Sequence, residues 1–94
     1  MAIISEFEYD NVIHPAAYTR VRAARYRSLN GSLVTVEVRI WHDSDDYDND
    51  VSPLGDFNVE VNTQDLELTE CNPIARAQEA LFALESPWSG GYIV

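Results

Sequence analysis

Alternation of apolar and polar residues is clearest from Leu33 to Trp41. There Val34, Val36, Val38 and Ile40 share one parity, and Thr35, Glu37, Arg39 and Trp41 the other. Successive side chains of a strand point to opposite faces, so this segment reads as a half-buried antiparallel strand with a tryptophan on its polar side. Two shorter segments repeat the pattern. Over 2–9, Ile3, Phe7 and Tyr9 share a parity that Ser5 interrupts; over 56–62, Phe57, Val59 and Val61 alternate with Asn58, Glu60 and Asn62. Asn11 to Pro15 reads as a break. In 16–27, Ala17, Thr19, Val21, Ala23 and Arg25 alternate with Tyr18, Arg20, Arg22, Ala24 and Tyr26. Alanine and arginine also suit a helix, and a helix here would leave a smaller sheet with two helices. The turn signal Ser28-Leu29-Asn30-Gly31 ahead of the strand 33–42 argues instead for a hairpin, hence a strand.

Asn72-Pro73 opens the C-terminal element. The asparagine side chain accepts from a free backbone N–H, and proline suits the first helical position because its missing donor has no helical partner. Ile74, Ala77, Leu81 and Leu84 then recur on one face, with Gln78, Glu79 and Glu85 elsewhere, which predicts an amphipathic helix over 73–85 that Ser86-Pro87 stops. The apolar tail Trp88 to Val94 is too short to fold alone and is expected to dock on its own domain or on a neighbour. The expected architecture is α+β: a mainly antiparallel sheet of four strands at 2–9, 16–27, 33–42 and 56–62, with one C-terminal helix packed on it. The 94 residues make a single domain, 1–94, with 86–94 as a docking tail.

Charge sharpens this picture. The formal net charge is −10, and the stretch Asp43 to Asp50 holds five carboxylates in eight residues directly behind the strongest strand. From Asp43 to Glu70 there are ten acidic residues and no basic one, whereas four of the six arginines lie between Arg20 and Arg27. Such a chain repels nucleic acid and anionic lipid, so neither is expected as a partner. One cysteine, Cys71, fits a reducing compartment without requiring one. The N-terminal residues lack a basic region and a long apolar run, so a soluble, unexported chain is expected.

Candidate chemistry is sparse. Asp46, Asp48 and Asp50 have the one-three-five spacing of a calcium loop, but Val51 stands where its glycine belongs and Phe57 where its bidentate glutamate belongs. They are weak metal candidates in an otherwise solvated loop with room for a short helical turn. His42 beside Asp43 invites a base–carboxylate reading, which the opposite orientation of adjacent strand residues opposes. His14 before Pro15 reads as a turn residue. No Cys-x-x-Cys, phosphate loop or His-Glu-x-x-His occurs, so neither catalysis nor a cofactor is expected. Arg20 and Arg22 are expected on one face of their strand, and Arg25 and Arg27 on the other. All four are interface candidates toward an acidic surface on another copy or another protein. Trp41, Tyr47, Trp88 and Tyr92 join them as contact aromatics.

The opening Ala2-Ile-Ile-Ser-Glu-Phe-Glu-Tyr9, the segment Ala17-Tyr-Thr-Arg-Val21, the strand Val36-Glu-Val-Arg-Ile-Trp41 and the helix Asn72-Pro-Ile-Ala-Arg-Ala-Gln-Glu-Ala-Leu81 resemble the small virion proteins of tailed bacteriophages. The resemblance spans nearly the whole chain. It implies a non-enzymatic structural or assembly protein of the tail or baseplate, located in the virion and in host cytoplasm during assembly. Other virion proteins, or further copies in a homo-oligomer, would be its partners. A capsid-decorating role is the alternative, and a carbohydrate- or calcium-binding adhesion module a more distant one. The Asp-rich loop departs from the mixed-charge turn usual in such sequences.

Overall fold

The computed structural model describes residues 2–26, 33–63, 72–85 and 87–94; Arg27, the Asn30-Gly31 turn signal and Cys71 lie outside them. Strands β1 (Ile3–Tyr9), β2 (Val12–Tyr26), β3 (Leu33–Trp41), β4 (Gly55–Asn62) and β5 (Tyr92–Ile93) form one sheet in the order β4-β3-β2-β1-β5. Every neighbouring pair is antiparallel. A short helix α1 (Ser44–Asp48) follows β3, and α2 (Pro73–Leu84) follows β4. The α+β class with a C-terminal helix on an antiparallel sheet is as expected, with a fifth strand added by the tail.

The largest difference lies in β2, which begins at Val12 and absorbs the predicted break. Asp10 and Asn11 adopt φ of 52° and 63°, the left-handed conformation that a two-residue hairpin needs to join Tyr9 to its partner Val12. Pro15 does not end the strand because Pro15 and Ala16 stand together opposite Glu6, between the pairs Phe7–His14 and Ser5–Ala17. A bulge is one of the few strand positions where a residue lacking an N–H fits.

A second bulge sets the chemistry of the outer face. Val21 pairs with Val38 and Ala23 with Glu37, so Arg22 is the extra residue. The insertion resets parity. Thr19 and Val21 share the inner face with Ala24, and Arg20 shares the outer face with Ala23 and Arg25. Arg20 and Arg25 therefore lie together, contrary to the simple alternation.

The core lies between the inner face and α2. Ile3, Ala17, Val34, Val36, Val38, Ile40 and Val61 from the sheet meet Ala77, Ala80 and Leu81 from the helix. Asn72 caps α2 as predicted, its Oδ1 accepting from the backbone of Ile74 and Ala75 at 2.9 and 3.3 Å. The helix is rotated from its expected setting: Gln78 is buried, while Ile74 and Leu84 are exposed. Ala77, Gln78, Ala80 and Leu81 turn inward together, and the two alanines give the helix a low-relief surface against the sheet.

Aromatic rings bridge the inner face from one side of the sheet to the other. The Phe7 and Phe57 rings lie 5.5 Å apart, although β1 and β4 are three strand spacings from each other, about 14 Å in a flat sheet. Trp88, in a 3-10 turn at Trp88–Gly90, stacks on Phe7 at 6.3 Å and closes this end of the core. The tail thus docks on its own sheet. Ala2 and Val94 exchange backbone hydrogen bonds of 3.2 and 2.9 Å, and β5 completes the edge beside β1.

Candidate functional site

The outer face of the sheet is where the predicted contact residues assemble. Tyr92, Ile4, Tyr18 and Trp41 are direct cross-strand neighbours in β5, β1, β2 and β3, forming one row across four strands. Beside it, Arg20 of β2 is level with Arg39 of β3 and Asp56 of β4. Among the described residues, only α1 folds over this face.

Helix α1 forms because Asp43, in an extended conformation, accepts the Asp46 N–H through Oδ1 at 2.8 Å, and Asp45 and Asp46 complement the positive end of the helix. One turn of helix cannot stand alone; Tyr47 anchors it. The Tyr47 ring centroid lies 4.9 Å from those of Tyr18 and Trp41, nearly perpendicular to the latter. The Arg20 guanidinium covers the same ring and donates to its hydroxyl. The Trp41 indole N–H donates to the Val51 carbonyl at 3.1 Å, fixing the chain as it leaves α1.

The arginines beyond Arg20 are largely engaged within the sheet. Arg39 grips Asp56 with two parallel hydrogen bonds, Nε to Oδ1 at 2.7 Å and Nη2 to Oδ2 at 3.1 Å. Arg22, pushed outward by the bulge, reaches Asp56 at 3.3 Å and Glu37 at 3.5 Å, and Arg25 lies 4.0 Å from Glu37. The hydrogen bonds from Arg39 hold the Asp56 carboxyl below its ordinary value of 3.8, and the same contact raises the Arg39 guanidinium. The Arg25 side chain remains 76% exposed, so it is the cation on this face most open to a further partner.

Of the predicted contact residues, Arg20, Arg22, Arg25, Trp41, Tyr47 and Tyr92 lie on this outer face. Trp88 does not: it is buried on the inner side, where its indole N–H donates to Thr19 Oγ1 at 3.0 Å. Arg27 is outside the described residues. Asp46 and Asp48 fall within α1, where residues two apart point in nearly opposite directions around the axis, so the calcium-loop spacing is dispersed by the helix. Among the described residues, no three His, Cys, Asp or Glu side chains form a cation site.

Pattern reading overlooked Tyr18 and Ile4, whose place in the row depends on cross-strand register; the shared parity of Tyr18 and Arg20 was the available signal. It also separated two histidines that the fold joins. His14 Nδ1 and His42 Nδ1 lie 2.8 Å apart, and because β3 ends at Trp41, His42 escapes strand alternation and brings Nε2 within 3.7 Å of Asp43 Oδ2. Compared with protein-family models, curated proteins and solved structures, the chain matches none of them.

Proposed function

We propose that this protein is a non-enzymatic structural or assembly component of a tailed-phage virion, of the tail or baseplate, that binds its neighbours through the outer sheet face. The virion setting rests on the sequence resemblance. The observation that carries the binding mode is the row Tyr92, Ile4, Tyr18 and Trp41 lying beside the arginine–carboxylate ladder, with Tyr92 58% exposed at the sheet edge. Aromatic residues supply buried area on association, and neighbouring charges fix orientation and reject wrong partners. Adjacent virion proteins or further copies of the chain are the partners this surface suits.

Mass spectrometry and electron-microscopy density of purified particles test the setting: the chain is expected as a stoichiometric constituent at the tail or baseplate. Tyr92→Ser combined with Arg25→Glu tests the face, since both side chains are exposed. The doubly substituted chain should fold and fail to enter particles. Absence of the native chain from purified virions would overturn the setting, and normal incorporation of the variant would overturn the binding face.

A further inference from the structure

The His14–His42 pair stands apart from the aromatic row and the ion-pair ladder. His14 is buried in β2 opposite Phe7, and the two imidazole rings meet at 75° with their Nδ1 atoms in direct contact at 2.8 Å. Asp43 Oδ2 lies 3.7 Å from His42 Nε2. A carboxylate near the far nitrogen favours the tautomer protonated there and leaves the Nδ1 lone pair available, the arrangement that orients imidazole ligands around metals.

We propose that His14 Nδ1 and His42 Nδ1 form a bidentate site for a divalent transition-metal ion of the zinc, copper or nickel class, with water completing the coordination and Asp43 orienting His42. Neutral imidazole suits these ions, whereas calcium and magnesium demand oxygen donors, so the site is chemically distinct from the acidic segment. Zinc–nitrogen bonds at a tetrahedral angle place two ligating nitrogens about 3.3 Å apart. The 2.8 Å separation therefore has to open by about half an ångström, with the half-exposed His42 ring turning so that the two Nδ1 lone pairs converge on the ion instead of on each other.

Without metal, the Nε2–H tautomer of His42 accepts through Nδ1, so His14 donates its Nδ1 proton to that bond. Metal binding replaces the shared proton: it leaves His14 Nδ1 for Nε2 of the same ring, and both Nδ1 lone pairs then bond to the ion. No net proton is released when both rings begin neutral.

Zinc titration of the tag-free protein, followed by calorimetry and by long-range proton–nitrogen spectra of the imidazoles, tests the proposal. Saturable binding of one ion per chain is expected, with the Nδ1 resonances of both histidines shifted and both Nε2 atoms protonated. His42→Gln and His14→Gln should each abolish saturable binding, and Asp43→Asn should weaken it about tenfold. Because His42 is half-exposed, its variant keeps the sheet, and an unchanged backbone amide spectrum verifies that. Failure to saturate with zinc in the native protein, binding unaltered in His42→Gln, or coordination through Nε2 would each overturn the assignment.

Discussion

The Arg20 guanidinium carbon sits 5.0 Å from the centroid of the Tyr47 ring, and the same side chain donates to the Tyr47 hydroxyl, although 27 residues separate the two. The acidic segment is therefore fastened to the arginine-bearing strand of its own chain by its one aromatic residue. Its carboxylates remain at the periphery. The charge complementarity that suggested contact between copies is partly satisfied within one molecule.

Removing the anchor should release α1 while sparing the sheet. Tyr47→Ala loses two aromatic contacts and a cation–π contact, and partial exposure of the cluster limits the cost to about 2 kcal/mol. Tyr47→Phe keeps the ring and loses about 1 kcal/mol or less with the hydroxyl. Urea unfolding provides both values. Amide exchange should accelerate at Tyr47, Asn49 and Val51 in the alanine variant alone; unchanged protection there would contradict the anchoring role.

The terminal strand depends on Gly91 for reasons of space, since its φ of −99° is open to any residue. A Cβ at Gly91 would fall 2.0 Å from the Ile4 carbonyl oxygen and 2.7 Å from Ser5 Cβ, whereas one at Gly90 meets nothing within 4 Å. Gly91→Ala should detach β5, seen as fast exchange of the Val94 amide and a stability loss of about 1–3 kcal/mol, the range of an overpacked site. Gly90→Ala should be close to silent. Equal behaviour of the two variants would refute this account.

How much of this was legible before the structure depends on the reach of each signal. The 33–41 strand and the Asn72-Pro73 helix start were readable because alternation and capping are local. Asp10 and Asn11 form a tight turn through positive φ angles that the pair tolerates without requiring, so the hairpin was missed and Pro15 was read as a breaker. Arg22 carries no mark of a bulge; only the register against Val38 and Glu37 reveals it, and that single extra residue reassigns Arg25 to the face of Arg20. The burial of Gln78 and the meeting of His14 with His42 depend on how the elements dock, which periodicity within either element does not encode.

Acid should weaken the outer face through Asp56. Its folded-state value is depressed, so the carboxylate contributes stability that is fully present above its unfolded value of 3.8 and is lost as pH falls through the lower folded value. Arg39 is shifted upward and keeps its charge across this window. The difference in stability between the native protein and Asp56→Asn should therefore be constant from neutrality down to about pH 5 and shrink below about pH 4. A difference that grows on acidification would show the opposite linkage and remove Asp56 from the account.

The buried hydrogen bond from Trp88 to Thr19 should behave as a coupled pair. Its indole N–H and hydroxyl oxygen meet at 3.0 Å between the tail and the central strand, 69 residues apart, where water does not replace a lost partner. Trp88→Phe leaves the Thr19 hydroxyl without its donor and trims the ring stacked on Phe7. Thr19→Val leaves the indole N–H unpaired while nearly preserving volume. Each should cost about 1–3 kcal/mol, because an unsatisfied buried polar group bears most of its desolvation penalty. In the double variant neither orphan remains, so its cost should fall short of the sum of the single costs by about 1 kcal/mol. Denaturant unfolding of all four proteins gives this coupling energy directly. Additive costs would mean that Trp88 is held by ring packing in the core, with the hydrogen bond to Thr19 contributing nothing to its closure.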